Sequence, residues 1–81
     1  MAEDISFQKV YQINMFWDDK AKVWCATCED DFNLVLEHES YDKLIERVRI
    51  AVPDMLRECH ITEFSDIRLC FVSERYTEVI T

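Results

Sequence analysis

Residues 10–17 have the sequence VYQINMFW. The odd-numbered side chains of this stretch are large and apolar, whereas two of the even-numbered ones, Gln12 and Asn14, are amides. Successive side chains of a strand point to opposite faces of its sheet, so this period of two predicts a strand with one face covered. We expect the strand to span residues 6–17 and to turn back at the short polar stretch 18–22.

Three further stretches have strand character. Residues 23–28 (VWCATC) are rich in β-branched and aromatic side chains, and residues 32–37 (FNLVLE) follow after an acidic break at residues 29–31. In the second of these, Phe32, Leu34 and Leu36 share one face. Residues 67–72 (IRLCFV) alternate in the same way and predict a final strand, which residues 74–81 either extend or leave frayed.

Residues 41–58 (YDKLIERVRIAVPDMLRE) predict one amphipathic helix. Ser40 is a suitable N-cap, and Asp42 places a negative charge in the first turn, where it suits the helix dipole. The apolar stripe recurs every three or four residues and keeps its phase across Pro53. We therefore expect one helix, kinked at the proline, rather than two short helices.

The predicted order is β-β-β-α-β within a single domain over residues 1–81. This is an α+β fold with two layers, in which one helix covers one face of an antiparallel sheet. The other face of the sheet then lacks a cover, and we expect Val10, Phe16, Cys25 and Val72 to share it. Exposed apolar side chains of this kind mark an interface with a partner, the burial of a homodimer, or further core packing.

The composition of the chain excludes several classes of function. The chain has 81 residues and a formal charge of −8, from 17 acidic and 9 basic residues. Nucleic-acid binding draws on clustered Lys and Arg, so no direct nucleic-acid contact is expected, and the acidity suits either a basic protein partner or simple solubility. The sequence contains no glycine, which excludes Gly-rich phosphate loops. A chain this short has little room for a deep substrate cleft, and we expect it not to be an enzyme.

The compartment is predicted to be the cytoplasm. The first residues, MAED, are acidic and lack the apolar core of a secretory signal, and no apolar run approaches the length of a membrane span. No membrane association is therefore expected. In such a compartment the four cysteines are reduced thiols.

Cys25 and Cys28 form a C-x-x-C pair that, on a turn, would suit zinc binding or thiol exchange. Residues three apart on a strand point to opposite faces, so the two thiols are expected to diverge. A small metal or thiol-redox protein remains the alternative function.

The remaining histidines and aspartates show no catalytic pattern. His38 and His60 have no partners at a spacing that indicates a triad, and the aspartates at 18, 19, 30 and 31 are expected to lie in solvated loops. No catalytic, cofactor-binding or metal-binding residue is predicted.

Four stretches carry a family resemblance: residues 11–18 (YQINMFWD), 23–30 (VWCATCED), 34–44 (LVLEHESYDKL) and 52–56 (VPDML). Together they resemble the N-terminal domain of HicB-type antitoxins and, more closely, a small bacterial family of uncharacterised HicB-like domains. The resemblance covers roughly residues 5–58. It implies a truncated ribonuclease-H-like β-β-β-α-β fold and a domain that binds and occludes a small basic toxin that cleaves mRNA.

The sequence therefore predicts a non-catalytic protein-binding module that needs no cofactor. In it, acidic loops steer a basic partner, which the resemblance implies is a toxin of that kind, and aromatic anchors become buried on contact. A homodimer formed through strand edges or the uncovered sheet face is also expected, and a structural homodimer is a further alternative function. The predicted partner-binding residues are Trp17, Asp18, Asp19, Trp24, Glu29, Asp30, Asp31 and Phe32.

Overall fold

A computed structural model describes residues 8–80. It contains strand β1 (Gln8–Asp18), strand β2 (Val23–Glu29), strand β3 (Asn33–His38), helix α1 (Tyr41–Glu58) and strand β4 (Asp66–Glu74). The predicted element order and the α+β class are confirmed. Residues 6 and 7, which were assigned to the first strand, lie outside the described residues.

The strands form one four-stranded sheet in the order β3-β2-β1-β4. β1 pairs antiparallel with β2, and β2 pairs antiparallel with β3, but β4 runs parallel to β1. The sheet is therefore mixed, where antiparallel pairing was expected throughout. The physical reason is the position of the helix: α1 carries the chain from the end of β3 back along the sheet, so β4 starts from the same end as β3 and β1.

The core lies between α1 and one face of the sheet. The helix contributes a buried stripe with a spacing of four residues, Leu44, Val48, Val52 and Leu56. The sheet contributes the odd-numbered side chains of β1 together with apolar side chains of β2 and β3, namely Tyr11, Ile13, Met15, Ala26, Cys28 and Leu34. Full burial of one such large side chain stabilises the fold by about 1.5–3 kcal/mol, so this layer provides most of the driving force for folding.

Local signals fix both ends of the helix. The Ser40 hydroxyl accepts a hydrogen bond from the backbone N–H of Lys43 at 3.3 Å, as expected of an N-cap. At the other end the N–H of His60 bonds to the carbonyl of Arg57 and the N–H of Ile61 to that of Leu56. These two bonds form a Schellman motif, whose left-handed residue, usually glycine, is here His60 with φ of 58°.

Pro53 lies within α1, which continues through it as a single helix. The side chain of Pro53 is exposed, whereas the neighbouring Val52 is buried. The proline therefore leaves the buried stripe in phase, as the sequence predicted. Within the described part of the chain, no helix is both long enough and apolar enough to cross a membrane.

Candidate functional site

An aromatic cluster, defined here as Trp17, Trp24 and Tyr41, lies where β1 ends and β2 begins. Trp17 and Trp24 are directly opposite each other in the antiparallel pair, with ring centroids 5.7 Å apart in an edge-on arrangement. Tyr41, the first residue of α1, stands edge-on to Trp24 at 4.8 Å. The Arg75 guanidinium lies 4.4 Å from the Trp17 ring and 5.9 Å from the Trp24 ring, so cation–π contacts hold the chain that leaves β4 against the cluster.

In the loop beside this cluster, both carboxylates accept hydrogen bonds from residues that are close to them in the sequence. Asp18 accepts hydrogen bonds from the backbone N–H groups of Lys20 and Ala21, at 3.0 and 3.1 Å. Asp19 accepts from Lys22 at 3.1 Å and from the Trp17 indole at 3.3 Å, and these contacts lower the pKa of the Asp19 carboxyl. The two lysines match the two aspartates in charge, so this loop contributes little to steering a basic partner.

The second acidic loop, Glu29 to Asp31, lies at the other end of β2. Asp30 pairs with Lys9 at 3.2 Å, and Asp31 accepts a hydrogen bond of 2.7 Å from the Tyr11 hydroxyl. Burial, and then the Asp31 carboxylate, raises the pKa of Tyr11 well above its usual range. Because β2 separates the two loops by about 20 Å, the predicted partner-binding residues form two groups at opposite ends of the sheet.

Phe32 requires a correction. It was expected to be an anchor that becomes buried on contact with a partner, but it is only 5% exposed in the free chain. Its ring lies 4.9 Å from that of Tyr11, and it belongs to the core. The reason is visible in the sequence pattern, because Phe32 shares the face of Leu34, and that face is the one that α1 covers.

The face of the sheet opposite α1, called the open face here, carries exposed apolar side chains. In the observed register Phe16 lies opposite Cys25, and both point away from the helix. Val10 and Val72 belong to the same face, so the expected grouping of these four residues is confirmed. Val35 joins them, and the exposed fractions of Val10, Phe16, Val35 and Val72 are 57%, 40%, 73% and 40%. The sequence contains a signal for this position, because Val35 alternates with Leu34 and Leu36 and must therefore lie on the face opposite to theirs.

Carboxylates surround these apolar side chains. The register places five acidic residues of the strands on the open face: Asp18, Glu29, Glu37, Asp66 and Glu74. The strand residues contribute one basic side chain to it, Arg68, which pairs with Asp66 at 3.2 Å. Two amides, Gln12 and Asn14, occupy its centre. The open face is therefore a strongly acidic surface with an interrupted apolar middle.

The two cysteines of the C-x-x-C pair lie on opposite faces of β2, as the alternation predicted. Cys28 is buried in the core between sheet and helix, whereas Cys25 lies on the open face and is only 8% exposed. Burial, reinforced by neighbouring carboxylates, raises the pKa of both thiols, so both are protonated at neutral pH. Residues 8–80 contain no group of three His, Cys, Asp or Glu side chains arranged to hold a metal ion.

Both histidines have local structural roles. The Nδ1 atom of His38 accepts a hydrogen bond of 2.8 Å from the backbone N–H of Ser40, which helps to fix the entry into α1. His60 provides the left-handed residue that ends the same helix.

A groove, called the α1–β4 groove, runs between the helix and the edge strand β4. The helix packs on β2 and β3 and leaves the same face of β4 half covered. The groove has a volume of about 370 Å³ and apolar walls. It is lined by Arg49, Val52, Pro53, Leu56, Ile67, Leu69 and Phe71.

The family model described as "Domain of unknown function (DUF1902)" matches residues 10–80. The chain belongs to the DUF1902 family. The match covers all four strands and the helix, so the family's shared unit is the whole two-layer domain. None of the curated proteins matches the sequence.

Among solved structures, this DUF1902 domain is similar to a hypothetical protein, TTHA1013, from the extremely thermophilic bacterium Thermus thermophilus. The two chains share 24% sequence identity and superpose with a TM-score of 0.72, over 86% of this chain and 99% of the other. At that identity the similarity shows a shared fold.

Proposed function

We propose that this DUF1902 domain is a non-catalytic protein-binding module, of the kind formed by the N-terminal domain of HicB antitoxins, and that it binds a small basic protein through its open face. The observation that carries this proposal is the open face itself, where Phe16 and three valines remain exposed on the side of the sheet opposite α1. Exposed apolar side chains within a polar rim are typical of a surface that a partner covers.

The charge of the open face favours a basic partner. Its strand residues carry five carboxylates and one guanidinium. Two of the carboxylates, Asp18 and Asp66, already have partners in their own chain, which leaves Glu29, Glu37 and Glu74 to attract a basic protein. Complementary charge accelerates encounter and selects partners, while apolar contacts at the centre provide most of the affinity. A small basic protein meets both conditions if it presents apolar side chains within a positively charged rim. The same acidic surface repels the phosphates of nucleic acids.

The chemistry of the open face favours contact rather than catalysis. Its side chains stand on the exposed side of a four-stranded sheet, and its one buried nucleophile, Cys25, has a raised pKa. The C-x-x-C alternative has no geometric support, because Cys25 and Cys28 lie on opposite faces of β2 and are not placed to share one ion or to react with one substrate disulfide.

The antitoxin part of the proposal rests on the resemblance of the sequence to HicB-type domains. It is consistent with the mixed β-β-β-α-β sheet and with the acidic open face. It makes the basic partner a ribonuclease whose active surface becomes covered when the domain binds.

Affinity capture from the source organism tests the proposal, with three tagged baits compared by quantitative mass spectrometry. The baits are the unmodified chain, a Phe16→Asp variant, and an Ile50→Asp variant as the matched control. Ile50 is also apolar and 68% exposed, but it lies on the helix, away from the open face. We expect one small basic protein to co-purify in equal amount with the first and third baits and to be lost with the second.

A Val35→Asp bait guards against misfolding of the Phe16 variant, because Val35 is 73% exposed and the fold does not depend on its burial. The recovered protein is then assayed for ribonuclease activity with and without the domain. Inhibition at equal molar amounts supports the antitoxin hypothesis. Failure to enrich a basic protein, or equal enrichment by all baits, contradicts binding through the open face.

A further inference from the structure

Within residues 8–80, the outer edge of β4 has no strand beside it. β4 is a nine-residue strand at one end of the sheet, and within residues 8–80 only β1 pairs with it. Such an edge presents a row of unpaired backbone N–H and C=O groups, which is a template for pairing with a further strand. β4 also has a neighbouring apolar surface, because the α1–β4 groove opens beside it and Ile67 is 38% exposed there.

The residues that follow β4 have strand-forming composition. Residues 75–80, called the tail segment here, have the sequence RYTEVI, in which four of the six side chains are β-branched or tyrosine. Tyr76, Val79 and Ile80 are 89%, 84% and 97% exposed. The free chain therefore leaves three large apolar side chains of a strand-like segment in water.

The start of the tail segment continues the geometry of β4. The last parallel partners are Phe16 and Glu74, so the next pair in this register is Trp17 and Arg75, and Arg75 does stack on the Trp17 ring. β1 ends one residue later, at Asp18. Extended chain beyond Tyr76 consequently passes the end of its own sheet and has no strand of its own chain, within residues 8–80, beside it.

We propose that two copies of this domain pair antiparallel through β4 and the tail segment, so that each tail segment lies along the β4 edge of the other copy. A twofold axis perpendicular to the sheet keeps both helices on the same side. Residues directly opposite each other then belong to the same face. The two four-stranded sheets become one continuous sheet, and the two open faces become one surface.

Two criteria determine which residues of the two copies lie opposite each other: the pairing of charged side chains and the coverage of the tail segment by the partner's β4. With the axis at Ser73, Glu78 lies opposite the partner's Arg68, and Val79 lies opposite the partner's Ile67 at the mouth of the α1–β4 groove. These are favourable cross-strand pairs. The register also places Tyr76 opposite the partner's Cys70.

The neighbouring registers are worse. If the twofold axis passes beside Val72, Glu78 lies opposite the partner's Asp66. If it passes beside Glu74, this residue lies opposite the partner's Glu74. Both registers therefore place like charges opposite each other. An axis at Phe71 avoids this conflict but leaves residues 77–80 without a partner. Ser73 is therefore the axis position that satisfies the charges and covers the tail segment. This pairing does not depend on the proposed binding of a basic protein.

Sedimentation equilibrium of the purified chain is the first test. We expect a mass twice that of the 9.7 kDa chain. A Val79→Asp variant, which places a charge at the groove, is expected to raise the dimer dissociation constant by at least about tenfold. The Ile50→Asp variant is the control and is expected to remain dimeric. Because Val79 is exposed in the free chain, its replacement leaves the fold of each copy intact. A monomeric unmodified chain, or equal masses for the Val79 variant and the control, overturns the proposal.

A disulfide cross-link tests the register. Directly opposite residues of antiparallel strands have Cα atoms about 4.5–5.5 Å apart, within the reach of a disulfide. In a Cys59→Ser background, a Tyr76→Cys variant treated with copper phenanthroline is expected to form a covalent dimer through Cys70. Adding Cys70→Ser is expected to abolish this product. A bond within one chain is excluded by about 20 Å of extended strand between positions 70 and 76. A dimer that fails to cross-link overturns the pairing.

Discussion

Replacing Tyr11 by phenylalanine removes one hydroxyl from the buried face of β1 and leaves the ring in its place against Phe32. In the unmodified chain that hydroxyl donates a 2.7 Å hydrogen bond to the Asp31 carboxylate. Hydrogen bonds to charged groups contribute about 1.5–3 kcal/mol, and water reaches Asp31, so we expect the lower part of this range, a loss of about 1.5 kcal/mol near pH 7.

The pH dependence makes this prediction specific. Burial and the Asp31 carboxylate raise the pKa of folded Tyr11 above the unfolded value of 10.0. The contribution of the protonated hydroxyl is therefore fully present below pH 10 and is lost as the pH rises toward the folded value, by about 1.4 kcal/mol for each pH unit. The phenylalanine variant has no hydroxyl to titrate at this position, so its unfolding free energy does not fall for this reason. The stability curves of the two proteins should therefore approach each other above pH 10 and cross near pH ~11.

Urea unfolding followed by circular dichroism, from pH 7 to pH 11.5, measures the difference in unfolding free energy between the two proteins. Both carry the same thiols and lysines, so the titrations of those groups cancel in the difference. A difference that stays constant through pH 11.5 would show that the hydroxyl does not bond to Asp31 in the folded protein. Equal stability at pH 7 would show the same.

Three further changes test the packing and the ends of the elements. His60→Gly should raise the unfolding free energy by about 1 kcal/mol in urea titrations, since glycine occupies the left-handed conformation without strain, whereas His60→Ala should give no gain. Leu44→Ala should lower it by about 2–5 kcal/mol in the same titrations, whereas Ile50→Ala on the exposed side of α1 should change it by less than about 0.5 kcal/mol. Arg75→Ala should shift the fluorescence emission of the two tryptophans and lower the melting temperature slightly, because a cation–π contact at an exposed site contributes about 0.5–1 kcal/mol.

The sequence predicted the elements well because each carries a local signal. The alternation in residues 10–17, the stripe of α1 and the cap at Ser40 all depend on neighbours within a few residues, and the structure reproduces them. The parallel direction of β4 has no such signal. It follows from where the helix returns the chain, and an alternating strand looks the same in either direction.

The arrangement of the acidic residues was harder to predict. Their order predicted two loops, one before and one after the second strand, and the fold shows that about 20 Å of β2 separates them. Sequence also does not reveal that Asp18 caps its own turn or that Asp31 receives the Tyr11 hydroxyl. Phe32 has the aromatic character of an interface anchor, but the alternation that it shares with Leu34 places it in the core. The end of the helix at Glu58 was predicted correctly, but the left-handed residue that follows it, His60, was not, because the usual signal, glycine, is absent from the chain.

The central claim is that a basic protein covers the open face, and the affinity of the captured partner tests it most directly. Isothermal titration of that partner into the unmodified domain and into the Phe16→Asp variant gives the two dissociation constants, with Ile50→Asp as the control. Truncation of an aromatic anchor at an interface costs about 2 kcal/mol or more, so we predict that binding to the Phe16 variant is at least ~30-fold weaker, while the control is unchanged. Equal affinity for the unmodified domain and the Phe16 variant would contradict the claim that the open face is the binding surface.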